Sequence, residues 1–207
     1  MKRFFIILCA AILLVPSCKK DGRDSNGNSN AETNTPKYST EGVNAVDLGL
    51  SVLWADRNIG AESPEDPGHY FAWGETTARE FNVFVSPYIF DEIDAPQKLT
   101  GQYDNATELW GDGWRMPTKE ELLALQKLTH EEKKDSDGKV IGATVTGNGN
   151  SIYIPTSRMS SSYMTYSLWS SERGDSQLWA NFFDVFTTGI SNCRREYAHA
   201  VRPVKDK

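Results

Sequence analysis

Hydrophobic and polar residues divide the chain into three zones. Residues 4–15 form an unbroken apolar run, residues 19–41 hold one aromatic residue and no aliphatic residue larger than Ala, and apolar positions recur from residue 42 onward. Only the third zone can bury enough apolar surface to offset the entropy lost on ordering. We therefore predict a single folded domain over residues 42–207, preceded by a flexible tether over residues 18–41.

The first half of this domain contains one strong strand pattern and one strong helix pattern. Apolar residues alternate strictly with others from Val46 to Trp54, which predicts a half-buried strand. Leucines at helical spacing follow Thr118, and Glu121 stands three residues after that threonine, which is the capping-box pattern. The sequence therefore predicts the main helix at Lys119 to Thr129.

The second half reads as strands. Turn signals at Asn148-Gly149 and at Thr188-Gly189 each separate two runs rich in β-forming residues. One clear helix among many strands predicts an α+β fold with a mainly antiparallel sheet and long loops. The predicted strands are 46–54, 69–75, 140–146, 151–155, 167–171, 178–186 and 190–204.

The first eighteen residues indicate an exported protein. Two basic residues precede the apolar run of twelve residues, which spans only about 18 Å as a helix against a hydrocarbon core of about 30 Å. The run therefore predicts a signal peptide over residues 1–17 and not a membrane-spanning helix. The ending VPSC resembles the lipobox of bacterial lipoproteins, which implies that Cys18 is acylated, for example with palmitate; the alternative is an ordinary cleavable signal with a chance cysteine.

Charge and cysteine content narrow the function further. The chain has 22 basic and 28 acidic residues, and loss of the signal removes two basic ones, so the mature net charge falls from −6 to −8. This balance argues against nucleic acid as a partner, since phosphate binding depends on Lys and Arg. Cys193 would be the one cysteine left in the domain, so we expect no disulfide there and interpret Cys193 as a small buried residue.

Five ordered segments resemble a known family, the Fib-succ-major paralogous domain of bacterial exported proteins and lipoproteins. They are VDLGLSVLWADRNIGA, YFAWGE, WGDGWRMPTKEEL, LWSS and HAVRPV. The motif WRMPTKEEL is also similar to one in the formylglycine-generating sulfatase-modifying domains. The resemblance implies a C-type-lectin-like fold, in which the first and last strands pair and loops carry the ligands. It does not imply the copper-dependent oxidase activity, because Cys193 has no second cysteine near it.

Charged residues in these motifs are candidates for structural roles. Arg115 and Arg202 are predicted to form internal ion pairs, with Glu120 and Glu121 as possible partners, since a buried guanidinium needs paired acceptors.

We expect no metal and no cofactor. HEEKK at 130–134 lacks the second histidine of a zinc protease, and His69 and His199 are isolated in the sequence. The motifs of serine hydrolases, phosphate loops and dinucleotide sites are missing from the sequence, as are the calcium triplets of sugar-binding C-type lectins. Glu75, Asp91, Glu92 and Asp94 could supply a glycosidase pair, although solvated loop charges are the simpler interpretation.

The remaining hypothesis is ligand binding by aromatic loops. Residues 157–171 combine two Tyr, one Trp and seven Ser, a composition that suits sugar stacking or protein contacts. We expect a non-enzymatic, lipid-anchored protein of the outer membrane that binds a glycan or a surface protein. The alternatives are a structural or adhesin subunit, such as a pilus tip, and an enzyme with a dispersed site, such as a glycosidase. The candidate ligand-binding residues are Tyr163, Tyr166, Trp169, Trp179 and Arg194, with a core role as the alternative for both tryptophans.

Overall fold

The computed structural model describes residues 38–90, 94–158, 164–165, 167–184 and 189–207, which belong to one compact unit. The predicted signal peptide, Cys18 and most of the predicted tether lie outside the described residues. The helices are α1 (Asn105–Trp110) and α2 (Lys119–Gln126), with a 3₁₀ turn at Gly101–Tyr103. The strands are β1 (Ala45–Val46), β2 (Val52–Ala55), β3 (Tyr70–Phe71), β4 (Trp114–Arg115), β5 (Thr129–Lys134), β6 (Val140–Gly147), β7 (Asn150–Pro155), β8 (Ser157–Arg158), β9 (Met164–Thr165), β10 (Ser167–Arg173), β11 (Trp179–Asp184), β12 (Gly189–Arg194), β13 (His199–Ala200) and β14 (Val204–Asp206).

The strands form four sheets, and almost every pairing is antiparallel. Their orders are β1-β2-β14-β4, β12-β11-β10-β13-β3, β5-β6-β7 and β8-β9, and among these the pair β10/β13 is parallel. The strand β14 near the carboxyl end pairs with β2 near the start of the domain, with Val204 opposite Trp54. The fold is therefore sheet-rich α+β with α2 as the main helix, as the hydrophobic pattern predicted.

The predicted strand from Val46 to Trp54 is wrong, because this segment is a hairpin. Val46 of β1 pairs with Trp54 of β2, and residues 47–51 turn between them. Gly49 has a φ of 78° and donates its N–H to the Asp47 carboxylate at 2.8 Å. The chain turns at this residue, and Gly adopts a positive φ without steric cost. The alternation of apolar with other residues could not distinguish one long strand from a hairpin of two short strands, since both arrangements turn the apolar residues towards the core.

The main helix begins where predicted but ends three residues earlier. Thr118 accepts a hydrogen bond from the Glu121 backbone, and the Glu121 carboxylate accepts the Thr118 N–H at 2.8 Å, which completes the capping box. Beyond Gln126 the chain turns, and Thr129 starts β5 opposite Thr146 of β6. The side chains of β5 are mostly exposed and charged, which is a common composition for a sheet edge.

The predicted hairpin at Asn148-Gly149 is confirmed. Both residues have positive φ, 51° and 75°, and join β6 to β7, as two-residue hairpin turns require. The predicted strand 190–204 is broken into β12, β13 and β14, which lie in two different sheets.

Two clusters of buried side chains form the core. One cluster includes Trp73, Trp110 and Trp169, and the other places Trp54 among the leucines of α2 and the inner residues of β6 and β7. The fold also begins earlier than Gly42. Tyr38 donates its backbone N–H to Leu109, so residues 38–41 are part of the domain and not of the tether.

Candidate functional site

A cavity of about 610 Å³ opens between loops that are far apart in the sequence. Its volume lies within the range of small-ligand pockets, about 300–1,000 Å³. The lining combines two carboxylates, two threonines, a glutamine and two tyrosines with three less polar positions. The residues are Gly74, Glu75, Thr76, Thr77, Pro87, Tyr88, Ile89, Gln102, Tyr103 and Glu108.

Close packing behind Gly74 sets one wall of this cavity. Gly74 follows β3 with a φ of 84°, and a Cβ there would meet the Phe90 ring at 2.7 Å. The Tyr88 hydroxyl donates a hydrogen bond to the Trp73 carbonyl, and the ring of Phe90 lies 5.2 Å from that of Tyr103. These contacts attach loop 86–90 to the core on one side and to the 3₁₀ turn on the other.

Glu75 is held in place by its surroundings. Its Oε1 accepts the Ile89 N–H at 3.1 Å, and its Oε2 lies 3.9 Å from an Arg79 guanidinium nitrogen. Asn105 donates its side-chain N–H to the Glu75 carbonyl. The carboxylate therefore ties loop 86–90 to the end of β3, and its orientation is set before any ligand arrives.

Glu108 enters the cavity from α1, a helix organised by Asp104. The Asp104 carboxylate accepts the N–H groups of Thr107 and of Met116, each at 3.0 Å. Burial raises the pKa of Asp104, although these backbone bonds oppose the shift. Within the described part of the chain, the Glu108 carboxylate forms no hydrogen bond or ion pair, so it is open to an incoming group.

A buried arginine supports the same wall from behind. Arg195 is 5% exposed, donates to the Phe90 carbonyl at 3.1 Å, and stacks on the rings of Tyr88 and Phe90 at 5.3 and 5.6 Å. Cation–π contacts of this kind contribute about 1–2 kcal/mol when desolvated. Arg195 thus fixes the two rings that shape the cavity wall, without lining the cavity itself.

Of the aromatic residues proposed from the sequence, the structure describes Trp169 and Trp179, and their environments differ. Trp169 is fully buried and donates its indole N–H to the Phe71 carbonyl, so its proposed ligand contact is wrong and its ring belongs to the core. Tyr163 and Tyr166 lie outside the described residues. Trp179 is 41% exposed and lies opposite Arg194 on the neighbouring strand.

Trp179 belongs to an exposed apolar patch separate from the cavity lining, and Arg194 lies beside this patch. The Arg194 guanidinium lies 5.3 Å from the centre of the Phe84 ring, which contacts Tyr197 at 5.5 Å. Arg194 also pairs with Glu196 at 2.7 Å. We define the apolar patch by its exposed side chains, Val83, Phe84, Leu178 and Trp179.

Arg115 has the structural role that its motif suggested. Its guanidinium binds both oxygens of Glu121, at 2.7 and 2.9 Å, and also Asp206 at 2.7 Å. Burial alone would raise the pKa of Glu121, but hydrogen bonds from Arg115 and Thr118 lower it. The pair connects β4, α2 and β14. Glu120, the other candidate partner, is exposed.

The predicted ion pair of Arg202 is wrong. Arg202 is fully buried, but it donates to the Asn58 Oδ1 and to the carbonyls of Ala55 and Tyr153, at 2.7–3.1 Å. Burial lowers the pKa of Arg202 to about 9. The guanidinium is therefore hydrogen-bonded by neutral oxygens of three segments of the chain. The sequence could not predict this arrangement, because no sequence pattern shows which backbone carbonyls will accept a hydrogen bond.

The buried His199 contacts both Ser167 and Cys193, and Cys193 is partly buried, whereas the sequence predicted a buried cysteine. The His199 Nε2 lies 3.2 Å from the Cys193 Sγ, and the Nδ1 lies 2.5 Å from the Ser167 hydroxyl. Burial raises the pKa of Cys193 to about 12 and lowers that of His199 to about 3. Both groups are therefore neutral near pH 7, whereas a cysteine nucleophile requires a thiolate.

The other histidines and carboxylates considered as metal ligands or catalytic groups do not lie together where the structure describes them. HEEKK forms most of β5, and His69 bonds the Tyr38 hydroxyl at 3.0 Å. Asp91 and Glu92 lie outside the described residues, and Asp94 does not line the cavity. Over the described ranges, no three potential metal ligands lie together, and no helix has the length and apolar character to cross a membrane.

Sequence reasoning named Glu75 as a carboxylate but missed Gln102, Tyr103 and Glu108. A helix start was nevertheless visible at Asp104, an N-cap residue placed before Leu109 and Trp110. That signal could have located α1, but not its position against β3.

Comparison of the chain with protein-family models, with curated proteins and with solved structures finds no match.

Proposed function

We propose that residues 38–207 form a non-catalytic glycan-binding domain of a lipid-anchored envelope protein. The cavity between β3, loop 86–90 and α1 is the observation that carries this proposal. Its lining contains hydroxyl, amide and carboxylate groups together with two tyrosine rings. Sugars present hydroxyls to such polar groups and apolar ring faces to aromatic side chains, so the chemistry of the lining matches that ligand class.

Prearrangement of the cavity supports a binding role. The Tyr88 ring and the Gly74 backbone are held by contacts with the core, and the Glu75 carboxylate is held by the Ile89 amide. Binding of a ligand would therefore order few protein side chains, and the small loss of conformational entropy favours affinity.

A binding role without catalysis fits the titratable groups best. Glu75 is engaged by the Ile89 amide and by Arg79, which leaves it poorly placed to move a proton. Cys193 and His199 form a neutral pair. A glycosidase remains the third candidate, because Glu75 and Glu108 line one cavity and such enzymes use a pair of carboxylates.

We assign the domain to the C-type-lectin-like fold and to the Fib-succ-major family as part of the same proposal. The last strand, β14, pairs antiparallel with β2 of the opening hairpin, which supports the assignment, since that fold pairs strands from the two ends of the domain. The motif WRMPTKEEL supplies the Arg115–Glu121 pair and the cap of α2. Determination of an experimental structure and its superposition on a C-type-lectin-like domain test the assignment; a different strand order would contradict it.

The location in the envelope depends on acylation of Cys18. With the signal over residues 1–17 removed, acyl chains on Cys18 would hold the domain at the outer membrane through the residues that precede Tyr38. Mass spectrometry of the protein from its native host should find a diacylated or triacylated Cys18. The Cys18→Ser variant should leave the membrane fraction, and an unmodified amino-terminal cysteine would contradict the anchor.

A glycan array tests the binding role directly. The mature protein, purified in detergent, should bind a restricted set of glycans, and Tyr103→Ala should weaken that binding about tenfold or more. Glu120→Gln, an exposed change on α2, is the matched control and should bind as the parent does. Chromatography of the bound oligosaccharide after incubation should recover it intact. Binding to no glycan, or cleavage of the glycan, would contradict the proposal.

A second candidate is a structural or adhesin subunit of a surface assembly, and the apolar patch favours it. Large exposed apolar side chains grouped on one surface are typical of protein contacts. In-cell crosslinking should then yield one partner at fixed stoichiometry, and Trp179→Ser should abolish that crosslink. A crosslink that survives this substitution would exclude the patch as the interface.

A further inference from the structure

The charges that face the cavity are of one sign. Among its lining residues Glu75 and Glu108 are acidic, and none is Lys, Arg or His. Arg79 lies at Glu75 and Arg195 is buried against Phe90, and neither guanidinium lines the cavity. The excess of acidic residues in the whole chain adds a field of the same sign.

The two carboxylates are not equivalent. Glu75 accepts the Ile89 amide and has Arg79 nearby, so its charge is partly compensated. Glu108 is only partly exposed, and the described residues supply it with no ion-pair partner. The Glu108 carboxylate, unlike that of Glu75, is therefore available to form an ion pair with a cationic ligand.

Besides Glu108, the lining of the cavity includes other hydrogen-bonding side chains. Gln102 and Tyr103 precede α1 on the same side of the cavity, and Thr77 lines it from the segment after β3. A single cationic side chain would pair with one carboxylate and make no use of these groups. A ring with several hydroxyls presents hydrogen-bonding partners to them as well.

Resting on the proposed glycan-binding role, we infer that the cavity takes an amino sugar with a free, protonated amine, whose ammonium group is bound by Glu108. Neutral and acidic sugars of the same shape lack the charge that this carboxylate recognises. Glu75 acts as a positioning residue, because it holds loop 86–90 through the Ile89 amide.

Three tetrasaccharides with the same β-1,4-linked glucose frame provide a matched test. Chitosan tetramer carries ammonium groups, chitotetraose carries acetamido groups, and cellotetraose carries hydroxyls. Isothermal titration calorimetry of the mature protein in mildly acidic buffer keeps the amine of the sugar protonated. We expect the chitosan tetramer to bind about tenfold more tightly than the other two, and added salt to reduce this preference.

Substitution of Glu108 separates charge recognition from folding. Glu108→Gln preserves the shape of the side chain and should abolish the preference for the chitosan tetramer over the two neutral tetramers. Glu120→Gln should keep the preference. Equal binding of all three tetramers by the parent would overturn the amino-sugar inference and leave the glycan-binding role standing.

Other results would overturn more. If none of the tetramers or array glycans bound, both the inference and the proposed function would fail. If Nα-acetyllysine bound as tightly as the chitosan tetramer, the cavity would be a site for cationic peptides and the sugar assignment would be wrong. If Glu108→Gln kept the full preference for the chitosan tetramer, a group other than Glu108 would bind the ammonium, and the assignment to Glu108 would be wrong.

Discussion

Protonation of His199 should control the acid stability of the domain. The ring lies fully within the core, stacked on Phe182 and edge-on to Trp169, and it contacts Ser167 and Cys193. Burial lowers the pKa of His199 to about 3. An unfolded histidine has a pKa of about 6.5, so the unfolded chain binds a proton that the folded domain does not.

The sign and the size of the effect follow from this difference in proton binding. Stability is complete above the unfolded pKa and is lost as the pH falls from about 6.5 towards the folded value. Between about pH 7.5 and about pH 5 the loss from this one residue amounts to about 2 kcal/mol. Carboxylates with an ordinary pKa of about 4 contribute little in that window. Asp104, whose pKa burial raises, changes stability in the opposite direction, but it does so equally in each variant, so the comparison with His199→Gln isolates the histidine.

Urea unfolding followed by tryptophan fluorescence measures this loss. The parent protein and the control His69→Gln should each lose about 2 kcal/mol of unfolding free energy between the two pH values, whereas His199→Gln should lose about 2 kcal/mol less than they do. The comparison is of the change with pH, so it holds even where His199→Gln lowers stability at both values. An equal loss in His199→Gln and the parent would refute the assignment of a buried, neutral histidine.

Further stability predictions follow from the core and the surface. Arg202→Met should cost about 2–4 kcal/mol by chemical denaturation, because it leaves three buried oxygens without a donor; a change under about 1 kcal/mol would contradict that arrangement. Trp169→Ala should cost about 3–5 kcal/mol and Trp179→Ser less than about 0.5 kcal/mol, and a reversed order would contradict their burial. Gly149→Ala should lower the unfolding free energy by about 1 kcal/mol, since its φ is positive; an unchanged midpoint in urea would contradict the turn.

Local chemistry made parts of the fold predictable. Thr118 and Glu121 satisfy each other's backbone groups within four residues, so the start of α2 could be located from sequence. Asn148 and Gly149 tolerate positive φ, which located the hairpin. The end of α2 and the division of Val46–Trp54 depend on pairing with distant strands, and the alternation of apolar residues carries no information about that pairing.

The cavity could not be predicted for the same reason. Glu75 and Glu108 are brought to it by the bond from Asn105 to the Glu75 carbonyl and by the packing of Phe90 between β3 and the 3₁₀ turn. These contacts join segments some thirty residues apart. Composition alone pointed to the aromatic stretch around Trp169, but the large size of that ring made it a core residue.

The central claim is that this cavity is where the domain meets its ligand. Amide chemical shifts of the ¹⁵N-labelled protein, recorded during titration with chitosan tetramer, test it residue by residue. We predict that the largest shifts fall at residues 74–77, 88–89 and 102–108, and that Glu108→Gln requires about tenfold more tetramer to produce them. Shifts centred on Leu178, Trp179 and Arg194 with the cavity amides unchanged, or no shifts at all, would contradict it.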